Sequence, residues 1–297
     1  MNSYLGPLRA EWLKIKRNYK FNSFLVWILP IGLLAFYTFM IVGALVVKAP
    51  SEELIIGCGG QWTNNVTGIW DFLRVFPGSI FGRILPLAFF SVVMAGEYQW
   101  GTWKNIVPRS QRLNLLLSKG TVAILTVIGS ILLTAFISAG GQSLLCNIEG
   151  AYYGPVISGA VLVDFLGDFA LSSLIGVLVL LLVLGFAALA SILSRSVLGG
   201  FLGGFVLSLL ELVSLGVLYL LRNIFDNPEI VNLYRFAPGF NLDNLQTWFF
   251  QGHAFSGELL GMAVEYTVVQ SLAVMAAWII IPYLLAGYLF QRQDLTD

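Results

Sequence analysis

Six apolar runs, at residues 24–47, 75–96, 120–145, 169–193, 197–221 and 266–290, dictate what this chain can fold into. Each has about the 20 residues that an α-helix needs to cross roughly 30 Å of hydrocarbon. Residues are 58% hydrophobic and only 11% charged, and mean hydropathy is +0.84. That leaves too little polar surface to cover a water-soluble globule, so the solvent is lipid. The second run is the least regular, because it holds Arg83 and Pro86; Arg83 is expected to snorkel toward the outer headgroups.

Formal net charge is zero, but its distribution is lopsided. Arg9, Lys14, Lys16, Arg17 and Lys20 precede the first span. Lys104, Arg109, Arg112 and Lys119 follow the second, Arg195 lies between the fourth and fifth, and Arg292 follows the sixth. With alternating spans all of these fall on one side, and most acidic residues, from Glu52 and Glu53 to Glu258 and Glu265, fall on the other. The positive-inside rule then puts both termini in the cytoplasm of a multi-pass cell-membrane protein. The first apolar run is too long for a cleaved signal and lacks a small-residue cleavage site near Lys48, so it reads as a retained helix. Cys58 and Cys146 are the only cysteines, both toward the outer face, and the sequence leaves open whether they pair. Asn65-Val-Thr67 matches a glycosylation sequon too short to carry weight.

Ahead of the first span, Leu5, Leu8, Trp12, Ile15 and Tyr19 recur at steps of three and four with cations between them. This pattern predicts a basic amphipathic helix lying along the inner interface. After the second span runs Glu97-Tyr-Gln-Trp-Gly101-Thr102-Trp-Lys104-Asn-Ile-Val-Pro108-Arg109-Ser-Gln-Arg112, continuing to Lys119. Gly101 permits a tight turn and Pro108 a fixed bend before the next span. Read without further context, the segment is a solvated connection that obeys the positive-inside rule.

The order of those residues resembles the cytosolic motif of the type-2 ABC exporter permease family: an acidic residue, Gly-Thr, a basic residue, then Pro and Arg. The closing Phe290-Gln-Arg292-Gln-Asp294-Leu295 is similar to that family's C-terminal segment. The resemblance implies an N-terminal elbow helix over residues 1–23 and a coupling loop over 97–119 that docks on a separate ATPase. On it, Glu97, Gly101, Thr102, Lys104, Pro108, Arg109, Arg112 and Arg195 are the ATPase-coupling residues, with Glu97 orienting the loop. Lys104 stands where many members carry Arg, which keeps the charge and loses the bidentate fork.

Residues 222–265 are rich in aromatics, and Leu242, Leu245 and Phe249 lie at helical spacing in a stretch too short to cross a bilayer. An interfacial or re-entrant helical segment fits, as does a plain aromatic belt. In the fifth span, Gly199, Gly200, Gly203 and Gly204 form overlapping small-xxx-small pairs that call for a close partner helix. The partner is either within the chain or the same span of a second protomer, and the resemblance favours the dimer contact. Glu211 is the one carboxylate well inside an apolar span, a candidate pathway residue that could also reach interfacial water or pair with an Arg such as Arg222. His253 has no second imidazole to share a metal with.

The expected fold is therefore all-α integral membrane: six transmembrane helices, an N-terminal amphipathic elbow helix, and a short outer re-entrant or interfacial helical segment between helices 5 and 6. Residues 1–297 read as a single transmembrane permease domain. No Gly-x-x-x-x-Gly-Lys-Ser/Thr or catalytic constellation is present, so the chain is expected to be no enzyme and to hold no cofactor or metal, with ATP and Mg on the partner ATPase. Expected partners are a cytoplasmic ABC ATPase subunit, a second permease copy or homologue and the lipid bilayer, and no nucleic acid. The expected function is ATP-driven export of an amphipathic substrate (drug, peptide or lipid-like). The alternatives are an ion-coupled secondary transporter or a non-transporting membrane scaffold or immunity protein.

Overall fold

The computed structural model describes residues 4–17, 22–47, 57–74, 78–106, 111–255 and 266–294. It is all-helical, with no strand among the described residues. In chain order the helices are α1 (Leu5–Arg17), α2 (Asn22–Val47), α3 (Trp62–Thr67), α4 (Gly78–Gln99), the single turn α5 (Trp103–Ile106), α6 (Arg112–Ile148), α7 (Gly159–Ser194), α8 (Val197–Phe225), α9 (Pro238–Gln251) and α10 (Val268–Arg292). Six of them, α2, α4, α6, α7, α8 and α10, are long and apolar enough to cross a membrane. The multi-pass membrane class expected from composition is the one the chain adopts.

The helix ends differ from the expected spans. α6 starts at Arg112, so Arg112 and Lys119 lie in the helix rather than in a loop over 97–119, and α7 starts at Gly159, ahead of the expected residue 169. Hydropathy ends a span at its first charges, whereas backbone hydrogen bonding continues through polar residues once a helix has formed. At 1.5 Å per residue, the 37 residues of α6 are longer than the hydrocarbon thickness. Pro108 and Arg109 lie outside the described residues.

The described chain packs as two compact units. The second unit comprises Ile15–Gly82 and Leu125–Gly176. There Cys58 and Cys146 are disulfide-bonded, with Cα atoms 5.5 Å apart, which closes the question the sequence leaves open. Beside them the Trp62 amide donates to Gly154 O at 3.0 Å and its indole to Pro155 O at 2.8 Å. Val66 packs with Ala135 and Ala139. Close approaches need glycine here: a Cβ at Gly82 would lie 1.9 Å from the Phe72 backbone oxygen, one at Gly141 2.4 Å from the Tyr37 ring, and one at Gly176 2.1 Å from Trp70.

The first unit comprises Met1–Lys14, Arg83–Ile124 and Val177–Asp297. The glycines of α8 let it seat on α7. A Cβ on Gly200 would lie 2.2 Å from Ser191 Oγ, on Gly203 2.9 Å from Ala190 Cβ, and on Gly204 2.8 Å from Leu87 and 3.3 Å from Ala187 Cα. Of the two partners the sequence leaves open for Gly199, Gly200, Gly203 and Gly204, the one within the chain is seen in these contacts. Lipid offers helices no hydrophobic drive to associate, so small residues are consumed by the nearest available backbone, here α7 of the same chain. Gly199 faces Ser194 in the α7–α8 turn, 2.4 Å from its Cβ.

Residues beyond α8 return as a 3₁₀ segment (Pro228–Phe236) and α9. Val231 and Phe240 form their core with Leu215, Tyr219, Tyr234, Phe255 and Tyr266 around them. Asn244 is fully buried and satisfied: its amide donates to Tyr266 O at 2.9 Å and Ser271 Oγ at 2.8 Å, while its oxygen accepts from the Phe255 amide at 2.7 Å. α10 opens with a reciprocal capping box between Thr267 and Gln270.

Candidate functional site

Glu97 sits in the last turn of α4. The helix ends two residues later because Gly101 takes φ +60°, and the Thr102 amide donates back to Glu97 O at 3.0 Å. Trp103 then turns inward, 4% exposed, against the rings of Tyr98 and Phe290, which leaves Lys104 exposed. The chain thus tucks in its second aromatic and presents its cation.

Glu97 is buried in a four-charge cluster. Its Oε2 accepts from Lys119 Nζ at 2.6 Å and its Oε1 from Lys14 Nζ at 2.9 Å. Glu11 completes the ring, with Lys14 at 2.6 Å and Lys119 at 3.4 Å. Each carboxylate therefore bridges both ammonium groups, and the cluster is neutral. Lys119, 2% exposed, spends a further bond on Val93 O at 3.0 Å and lies over the Trp103 ring at 5.4 Å. Burial works against the charge on Lys14, but the carboxylates of Glu97 and Glu11 outweigh it and hold its pKa above the ordinary lysine value. α1 is in this way clamped to the end of α4 and the start of α6. Its buried residue is Glu11, while Leu5, Trp12 and Leu13 remain exposed.

Arg112 is engaged within the chain. Its Nη1 donates to the carbonyls of Phe290, Gln291 and Gln293 at 2.9, 3.0 and 2.7 Å, closing the C-terminus of α10. A cation there satisfies carbonyls that have no helical partner and complements the negative end of the helix. Arg112, expected among the ATPase-coupling residues, is thus a cap on the C-terminus of α10. Gln293 extends the link, accepting from Tyr98 Oη at 2.5 Å and donating to Ile192 O at 2.7 Å. Arg195, three residues past Ile192, is exposed and takes φ 51° in the turn that Ser196 caps for α8. Of the expected coupling residues, the structure brings together Glu97, Gly101, Thr102, Lys104, Arg112 and the Arg195 turn.

Elsewhere in the same unit Glu211 pairs with Arg83, both side chains 3% exposed. Arg83 neither snorkels outward nor leaves Glu211 to Arg222, because a buried carboxylate in an apolar span is stabilised most by a cation that shares its burial. Tyr234 lies nearby; burial, then the carboxylates of Asp243 and Glu211, push its phenol pKa up and keep it neutral.

Sequence reading missed Glu11, Trp103 and the pairing of Arg83. Glu11 carried a signal, being the lone acid in a basic helix. The Arg83–Glu211 contact spans 128 residues and carried none.

Comparison of the chain with protein-family models, with curated proteins and with solved structures returned no match.

Proposed function

We propose that this chain is the transmembrane permease subunit of a type-2 ABC exporter, working with a second permease copy or homologue and two cytoplasmic ATPase subunits. The observation that carries the reading is the junction around Glu97. The segment whose residue order resembles the family's coupling loop hangs from a neutral charge clamp, joined through Tyr98 and Gln293 to the α7–α8 turn. Such a junction suits force transmission. A push on the Trp100–Gln111 stretch moves α4, and the clamp obliges α1 and α6 to follow, since separating buried charges costs several kcal/mol, on the order of 3–5. Lys104 and Arg195, exposed at this junction, are the docking cations for acidic groups on the ATPase. Both termini are then cytoplasmic, Cys58–Cys146 lies on the oxidising side, α1 rests its apolar residues on the inner leaflet as an elbow helix, and the 3₁₀–α9 segment caps the outer side. ATP binding and hydrolysis on the partner tilt the spans and open an outward route for an amphipathic substrate.

The chain has no free cysteine among its described residues, so Lys104→Cys introduces a unique thiol. With a short thiol–amine cross-linker in native membranes, Lys104→Cys is expected to capture a nucleotide-binding protein, with a yield that changes with ATP and vanadate. Glu229→Cys, from the 3₁₀ segment, is expected to capture none. Equal labelling from both positions, or capture from neither, contradicts the reading.

The buried Arg83–Glu211 pair is the one observation that favours the second class, an ion-coupled secondary transporter. Flux by the chain alone in proteoliposomes, driven by an ion gradient without ATP, selects that class.

A further inference from the structure

The outward side of α1 mixes cations and apolar groups in one stripe. Leu5, Arg9, Trp12, Leu13 and Lys16 recur at steps of three and four, which sets them on one face of the helix, and all five are exposed. The sequence pattern predicts another face, with Leu8 and Ile15 beside Trp12; in the fold those two are half-buried. On the opposite side Glu11 and Lys14 are held in the clamp, and Tyr4 Oη lies 2.8 Å from Thr121 Oγ1 of α6. These anchors stop α1 from rolling, so the outward direction of Arg9 and Lys16 is fixed.

With 13 residues α1 is too short to cross the roughly 30 Å of hydrocarbon. It is anchored where two candidate membrane spans meet their polar connection, at the last turn of α4 and the early turns of α6. Water disfavours an exposed Leu-Trp-Leu set, and acyl chains alone disfavour two cations. The headgroup layer accepts both, because phosphate oxygens lie directly above hydrocarbon and long basic side chains reach up to them. A soluble protein partner matched to Arg9 and Lys16 has to be acidic, and would then meet Leu5, Trp12 and Leu13 interleaved with them. A bilayer matches both kinds of group at once.

We propose that this face of α1 is a binding surface for the headgroups of anionic phospholipid, with Arg9 and Lys16 as the phosphate contacts and Leu5, Trp12 and Leu13 seated beneath them. An anionic headgroup carries a net charge where a zwitterionic one carries none, so the surface selects lipid by charge. Because the clamp joins α1 to Glu97 and Lys119, lipid charge acts on the ends of α4 and α6. The surface stands on α1 and its anchors, not on the exporter reading.

Both cysteines of the chain are in the disulfide, so Ala10→Cys, exposed and outside the stripe, gives a single labelling site. The full chain labelled there with bimane is placed in nanodiscs of phosphatidylcholine, alone or with about one third phosphatidylglycerol, and water access is read by acrylamide quenching. Phosphatidylglycerol is expected to protect the label, and phosphatidylserine to do the same. In Arg9→Gln/Lys16→Gln the ratio of protected to quenchable label is expected to fall at least about fivefold, the effect of one cation at an anionic surface. Arg9→Lys/Lys16→Arg keeps the charge and is expected to keep the response. Since all these side chains are exposed, each variant is expected to melt with the wild type in phosphatidylcholine alone. Quenching indifferent to phosphatidylglycerol, an equal response in Arg9→Gln/Lys16→Gln, or protection by phosphatidylglycerol and not by phosphatidylserine overturns the proposal. Because no ATPase takes part, failure here leaves the coupling proposal standing, and failure of coupling leaves this one standing.

Discussion

Lys14 and Lys119 bind the same two carboxylates, yet their surroundings give them different weights. Lys119 is buried at 2% exposure, whereas the Lys14 side chain is 41% exposed. Removing a buried partner strands charge, so Lys119→Met is expected to cost about 3 kcal/mol. Lys14→Met, screened by solvent, is expected to cost under about 1 kcal/mol. Thermal melting of the purified protein checks this ordering, and equal losses contradict it. The pH dependence has a definite sign. The pKa of Lys14 is raised in the fold, so its contribution is fully present below the ordinary lysine pKa and fades as pH rises past that value and through the raised one. Wild type is therefore expected to lose more stability than Lys14→Met over the alkaline limb.

At the scale of elements, the same helix contains a tight glycine and a free one. A Cβ at Gly204 meets Leu87 and the Ala187 backbone, whereas one at Gly216 meets nothing within 4 Å. Gly204→Ala is expected to destabilise by roughly 1–3 kcal/mol through overpacking, and Gly216→Ala to be neutral or stabilising by up to about 1 kcal/mol from helix propensity. A melting point lowered by Gly216→Ala and untouched by Gly204→Ala contradicts the α7–α8 seating. The six spans were legible in the sequence because lipid imposes length and apolarity directly, residue by residue. Helix ends were less so: the polar turns holding Arg112, Lys119, Asp164 and Asp168 continue helices that hydropathy alone would end. What stayed hidden was pairing across the chain. Glu11 meets Lys119 across 108 residues and Arg83 meets Glu211 across 128, and neither local pattern nor charge count encodes such a contact. The glycines of α8 announced a close neighbour, but small residues fit many partners equally well, and only the fold shows α7 against them.

For the whole molecule, the apolar faces that remain exposed, such as Phe39 and Val46 on α2 and Ile281 and Leu284 on α10, belong against lipid. Among the described residues, buried charge is concentrated at two places, the clamp around Glu97 and the Arg83–Glu211 pair. In the exporter reading the clamp receives force from nucleotide turnover on another chain. The most direct test of that reading is ATP hydrolysis by the particle purified from native membranes into lipid nanodiscs. The expected result is an ATPase subunit in equal number to the permease chains, whose hydrolysis falls at least about tenfold in Lys104→Glu/Arg195→Glu while the permease stays folded. A homogeneous, folded particle that contains no nucleotide-hydrolysing subunit contradicts the account.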